Sequence, residues 1–152
     1  MAAFVRAAEP QDLAQIVRLC AEHARFEGAS LDVAGLAERL EAALFGSAPR
    51  LWAWVVEAGG GLAGYATASV EFSTWAGRDY VHMDCLYLQA PMRGTGLGRR
   101  LMEEVFAAAR RASCAEVQWQ TPPWNAPAIA FYRAMGAEGA DKVRFRTAVG
   151  GR

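Results

Sequence analysis

Three glycines fall within five residues in PMRGTGLGRR (91–100), with Arg93 just before the first and Arg99 and Arg100 after the last. The stretch follows YVHMDCLYL (80–88), which reads as a strand. It opens LGRRLMEEVFAAARRA, where Leu97, Leu101, Val105 and Phe106 make one helical face. A strand must therefore turn directly into a helix through unusually free backbone. Such a turn gathers backbone N–H groups at the positive end of a helix dipole. Three arginines add full charges. An anion, most simply a di- or triphosphate ester, is the natural guest; a tight turn with no ligand is the alternative.

The rest of the chain supplies the frame. FVRAA (4–8) alternates like a short strand, and apolar residues at helical spacing predict a helix from about Pro10 to about Arg25. Gly28 ends it, and Ser30 reads as the cap of a second helix with Leu36, Leu40 and Leu44 as its stripe. RLWAWVVEA (50–58), the turn GGG (59–61) and LAGYATASVEF (62–72) read as a hairpin. STWAGRD turns the chain into the third strand. Beyond the glycine-rich helix come a strand AEVQWQT (115–121), a helix APAIAFYRAM stopped by Gly136, and a final strand KVRFRTAV (142–149). This order predicts one α/β domain over 1–152. Its sheet is mostly antiparallel and changes to a parallel crossover at the glycine-rich turn.

Composition narrows the partners. The hydrophobic fraction of 53% excludes a disordered chain. Zero net charge argues against a general nucleic-acid binder, which needs a basic surplus. The three cysteines form no CxxC pair and read as small buried hydrophobes, so neither a disulfide nor a metal site is expected. With no apolar run of spanning length and no signal core, no membrane association is expected, and a cytoplasmic location is.

Two familiar phosphate loops do not fit. A Walker loop needs Lys-Ser/Thr after the last glycine, where Arg99-Arg100 stands. A dinucleotide fingerprint needs wider glycine spacing and the first strand of a βαβ unit. What does fit is a pair of motifs. Arg93-x-x-Gly96-x-Gly98 resembles the R/Q-x-x-G-x-G/A signature of the GNAT N-acetyltransferases. WNAPAIAFYRAMGA (124–137) resembles that family's second signature, N-x-x-A-x-x-F-Y-x-x-x-G. The resemblance covers nearly the whole chain, and the strand–helix order is similar too.

The resemblance implies a GNAT fold, a mixed sheet of six to seven strands flanked by about four helices. It implies acetyl-CoA as co-substrate. Its pyrophosphate would lie on the main chain of Arg93, Gly94, Thr95, Gly96, Leu97, Gly98 and Arg99. Leu86, Tyr87 and Leu88 would pair with the pantetheine arm. Asn125 and Pro127 would contact the cofactor or order its loop, and Tyr132 would stand near the sulfur. A homodimer is also implied.

Within the family the chain looks most like the diamine (spermidine/spermine) and thialysine N-acetyltransferases. Phe26 and Glu27 match an aromatic–glutamate pair beside the acceptor. Trp75 and Gly77 match a W-x-G turn, and Asp84 falls where those enzymes carry a strand glutamate serving the amine. Asp84 is one methylene shorter than that glutamate. Ser73 and Thr74 stand where a carboxylate is expected, and residues 28–35 hold one acid, Asp32.

Direct transfer needs a neutral amine. An alkylamine resembles lysine, with a pKa of about 10.4, so about one molecule in a thousand is ready at neutral pH. Asp84 is the candidate base, acting directly or through a water; alternatively it binds the ammonium or bonds a strand bulge. Backbone N–H groups at Leu86 or Tyr87 would stabilise the oxyanion. A tyrosine hydroxyl matches the leaving thiolate, a role the resemblance gives to Tyr132. His23 and His82 read as structural or as lining of the acceptor site. Three functions share these features: acetylation of a small primary amine, acetylation of proteins or peptides, and non-catalytic acyl-CoA sensing.

Overall fold

The computed structural model describes residues 2–150 of the chain. The chain divides into two compact units, Met1–Gln120 and Thr121–Arg152.

The first unit is built on a five-stranded sheet whose strands lie side by side in chain order. The elements are β1 (Phe4–Ala7), α1 (Leu13–Phe26), α2 (Leu36–Phe45), β2 (Trp52–Ala58), β3 (Gly61–Ser73), β4 (Arg78–Leu88), α3 (Leu97–Arg111) and β5 (Val117–Gln118). The first four strands pair antiparallel, and α3 is the crossover that makes β5 parallel to β4. The expected change of strand sense at the glycine-rich turn is therefore present.

Alternation in β2 sends side chains to two cores. Val55 packs with Ile16 and Leu19 of α1 and with Leu62 and Tyr65 of β3. The buried residues Leu97, Leu101, Met102, Val105 and Ala108 recur at helical spacing along α3, which packs on β2 and β4. Burying the apolar stripe of α3 at about 25 cal/mol per Å² is what holds the crossover to the sheet.

The entry to α1 is fixed by charge. The Asp12 carboxylate accepts from the Glu9 N–H at 2.8 Å and is gripped by both Arg6 terminal nitrogens at 2.8 and 2.9 Å. Asp12 is only 3% exposed. This fork-on-fork pair ties β1 to the turn Pro10–Asp12 that starts the helix.

Three expectations need correction. Ser30 caps no helix. The Asp32 side chain instead accepts from the Ala34 N–H at 3.0 Å, an Asx turn that competes with helical bonding, and α2 starts at Leu36. The strand expected over 115–121 shortens to Val117–Gln118, ahead of Pro122 and Pro123. The strand expected over 142–149 is not formed, so the sheet has five strands among the described residues rather than six to seven. Val143, Phe145 and Val149 are exposed there. Alternating apolar residues count as a strand only where their backbone pairs with a neighbour.

The second unit holds α4 (Ala126–Ala134), which begins at Asn125 and ends before Gly136. With the four expected helices α1 to α4 present, the fold is the mixed, mostly antiparallel α/β class read from the sequence.

Candidate functional site

The glycine-rich turn is built as its composition demands. Gly94 and Gly96 take φ of +74° and +88°, the left-handed region that costs other residues about 1–2 kcal/mol. Gly96 caps α3, and the Arg100 N–H donates to the Gly96 carbonyl at 3.1 Å, the first bond of the helix. The N–H groups of Leu97, Gly98 and Arg99 thus lie in the first turn, where no intrahelical acceptor exists. The Thr95 hydroxyl donates back to the Met92 carbonyl. A Cβ placed on Gly94 or Gly96 would meet nothing within 4 Å, so space is open above the turn. Open space, unbonded N–H groups and the positive helix end suit a phosphate ester.

Arg93 faces away from that cradle. Its Nε donates to the Leu88 carbonyl at 2.9 Å, and its guanidinium carbon lies 4.7 Å from the Phe26 ring centre and 5.8 Å from that of Tyr87. The stacking joins the start of the turn to the C-terminal end of α1.

An aromatic and carboxylate cluster continues from there. Tyr87 is tilted against Phe26 with ring centres 6.3 Å apart, and its hydroxyl donates to Glu22 at 3.4 Å. Gln89 donates to the same carboxylate at 3.1 Å. Glu27 is bonded to His23 at 3.0 Å. Burial and the Glu22 charge push the Tyr87 hydroxyl up; Arg93 opposes them.

Asp84 lies on β4 where the register slips. Thr67 pairs with Cys85 and the next residue, Ala68, pairs with Met83, leaving Asp84 as the extra residue of a bulge. Its side chain is 64% exposed, with His82 Nε2 at 3.7 Å. Asp84, between Met83 and Cys85, is thus an exposed strand acid aimed by the bulge. Beneath it, burial and then the Asp84 charge push the Cys85 thiol up to about 12.

Of the residues read from sequence, the structure gathers Phe26, Glu27, Tyr87, Leu88 and Arg93 into one cluster, with Gly94 to Arg99 following directly. Leu86 pairs with Ala66 next to it on β4. Trp75 sits at the tip of the β3–β4 turn, 99% exposed. In the second unit, Asn125 Oδ1 accepts from the Ala128 N–H at 3.4 Å and so caps α4, with Pro127 in its first turn. Tyr132 lies on that helix, its ring 5.4 Å from Phe131.

Tyr65 and Glu22 join this cluster although neither stood out in the sequence, and His23 gains a specific partner. The spacing of His23 and Glu27, four apart on a helix, was a usable signal. Nothing local marks Tyr65.

The pattern of the acetyltransferase (GNAT) family matches residues 13–137. The thialysine N-epsilon-acetyltransferase of Bos taurus is 30% identical over 143 residues, covering 89% of this chain and 84% of that protein. The L-ornithine N5-acetyltransferase of Arabidopsis thaliana is 26% identical over 77 residues, 51% of this chain and 34% of that one. Among solved structures, an aminoglycoside acetyltransferase from an uncultured soil sample superposes with a TM-score of 0.77 at 17% identity, covering 97% of each chain. With its family pattern spanning most of the sequence and the glycine turn standing at the start of α3, the chain belongs to the GNAT family of N-acetyltransferases.

Proposed function

We propose that the protein transfers the acetyl group of acetyl-CoA to a primary amine of a small molecule, of the diamine or amino-acid-like kind. One observation carries the reading: a left-handed glycine turn, open above and set on the first turn of α3, adjoins an aromatic and carboxylate cluster at the end of α1. The turn suits a pyrophosphate and the cluster suits a cation. The names of the thialysine and ornithine relatives support the amine class. The family pattern crosses the boundary at residue 120, which supports one functional domain. We also infer a homodimer from the family resemblance, and a cytoplasmic location; sedimentation and fractionation test the two points.

In this reading Gly94 to Arg99 hold the pyrophosphate, Leu86 to Leu88 the pantetheine arm, and Asn125 with Pro127 order the second motif. The thioester supplies an activated acyl carbon. The amine nitrogen bonds to that carbon, the C–S bond breaks, and the amine gives up a proton. Glu27, Phe26 and Trp75 receive the ammonium. Asp84, exposed on its bulge, takes the proton through a water or holds the charged amine until it is lost. A backbone N–H of Leu86 or Tyr87 meets the oxyanion, and Tyr132 returns a proton to the thiolate.

The test is a panel of thialysine, ornithine, diamines, polyamines and aminoglycosides with acetyl-CoA, read as free thiol released. Turnover with at least one amine supports the reading. No release with any of them, together with acetylation of lysate proteins, would replace it with a protein acetyltransferase.

A further inference from the structure

Glu27, at the end of α1, is held by a side chain of that helix. His23, one turn back, places Nε2 3.0 Å from Glu27 Oε2. Its other ring nitrogen, Nδ1, lies 2.8 Å from the Tyr65 hydroxyl on β3. The ring stacks on Tyr87 of β4, centres 5.2 Å apart and planes at 20°, and meets Tyr65 edge-on at 5.8 Å and 72°. Its side chain is 15% exposed. Both nitrogens and one face of the imidazole are therefore engaged, from three different elements.

An ionised Glu27 only accepts, so Nε2 carries a hydrogen; in the neutral imidazole Nδ1 then accepts from the Tyr65 hydroxyl. Behind His23 the Tyr65 hydroxyl interacts with the Cys85 thiol, which donates to the Asp84 carboxylate at 3.8 Å. Tyr65 is 1% exposed, and burial first, then the Cys85 and Cys20 thiols, push its hydroxyl far above the usual tyrosine value. The Cys85 thiol is itself pushed up to about 12, and burial raises Cys20 as well. These groups keep their own protons near neutral pH, so the Tyr65 hydroxyl serves His23 as a fixed hydrogen-bond partner.

We propose that His23 is a positioning residue for the acceptor amine: it fixes the Glu27 carboxylate and the Tyr87 ring in the orientation that receives the ammonium. The inference rests on the reading of Glu27 as an amine-facing group. A carboxylate at a helix end samples many rotamers, and each one lost beforehand is one the amine does not have to freeze. The imidazole accomplishes this from a site shielded from solvent, braced by Tyr65. It gives the acceptor side a fixed negative group where acids are few.

The experiment uses the full chain, the amine found active in the panel, and the variants His23→Leu, His23→Gln and Glu27→Gln. We expect His23→Leu to raise the amine KM about tenfold, the size of losing a hydrogen bond to a charged group. The KM for acetyl-CoA and kcat should stay within about twofold. His23→Gln keeps a side-chain N–H donor and should recover most of the loss. Nitrogen-15 NMR of wild-type imidazoles should show His23 as the Nε2–H tautomer. An amine KM unchanged in His23→Leu, or an Nδ1–H tautomer, overturns the proposal. Should His23→Leu fail to fold, His23→Gln and the tautomer decide it. If wild type turns over, Glu27→Gln raises the amine KM and both His23 variants match wild type, this inference alone falls; if Glu27→Gln also matches wild type, Glu27 leaves the acceptor site and this inference goes with it; if wild type acetylates no amine, the functional reading falls and takes this one with it.

Discussion

The guanidinium of Arg93 lies over the ring of Phe26, 4.7 Å from its centre. One residue opens the glycine turn and the other ends α1, so the contact couples the proposed donor cradle to the proposed acceptor site. The Arg93 Nε also holds the Leu88 carbonyl at 2.9 Å. Lysine offers neither the planar stack nor the fixed Nε donor. Arg93→Lys should therefore behave nearly like Arg93→Ala. Both should lose about 1–2 kcal/mol of stability in urea unfolding, from one stacked cation and one hydrogen bond. Both should also raise KM for donor and amine together. A rise for the donor alone would mean that Arg93 acts only on the phosphate side.

Gly96→Ala isolates the backbone. Nothing lies within 4 Å of the added methyl, so the substitution meets only the strain of φ +88°. That strain is about 1–2 kcal/mol. Relief of it by rotation would turn the first N–H groups of α3 out of register with a bound pyrophosphate. The expected outcome is a native fold by circular dichroism, a Tm lower by a few degrees, and acetyl-CoA binding weakened by roughly tenfold in calorimetry. Undiminished binding would remove the turn from the cradle.

Tyr132→Phe tests the second motif. If Tyr132 protonates the thiolate, kcat should fall by roughly a hundredfold with the KM values little changed, the pattern of a group acting in the transition state. An unchanged kcat would leave Tyr132 as a packing residue of α4, beside Phe131.

What could be read beforehand, and what could not, follows the range of the interactions. The glycine turn, the apolar face of α3 and the β2–β3 hairpin are local chemistry, and each stands where its residues put it. The Asp84 bulge is a register slip against Thr67 and Ala68, invisible in the alternation of β4 alone. The His23–Tyr65 bond joins residues 42 apart in sequence, and neither residue's neighbours announce the other. The 142–149 segment shows the opposite failure: a strand-like pattern that forms no strand.

Stability should depend on acid through Asp12. Bonding to Arg6 first, and to the Glu9 N–H, holds its carboxyl below the usual carboxylate range, outweighing burial. A depressed folded value means that the contribution is full above the unfolded value of about 3.9 and is lost as pH falls through the folded one. Asp12→Asn should lower unfolding free energy at pH 7 by about 1–3 kcal/mol, since Arg6 keeps Glu57 at 3.3 Å. The gap between wild type and variant should narrow below about pH 4. A gap constant down to pH 2.5 would show that the pair contributes packing rather than charge.

Gly64→Ala should disturb the site from behind. A methyl on Gly64 would stand 2.8 Å from the Tyr87 carbonyl oxygen and 2.5 Å from a Leu88 methyl, with a Val56 methyl at 3.3 Å. The Leu88 side chain can rotate away. The Tyr87 carbonyl belongs to the backbone of β4, paired with β3 at this level, and can move only with the strand. Overpacking of this kind costs about 1–3 kcal/mol. The displacement falls on Tyr87, whose ring stacks on His23 and lies beneath Arg93. Stability and amine KM should therefore worsen together, while the glycine turn itself is untouched. Urea unfolding beside steady-state kinetics reads both. A destabilised variant with wild-type amine KM would show that the end of β4 supports the fold without setting the acceptor site.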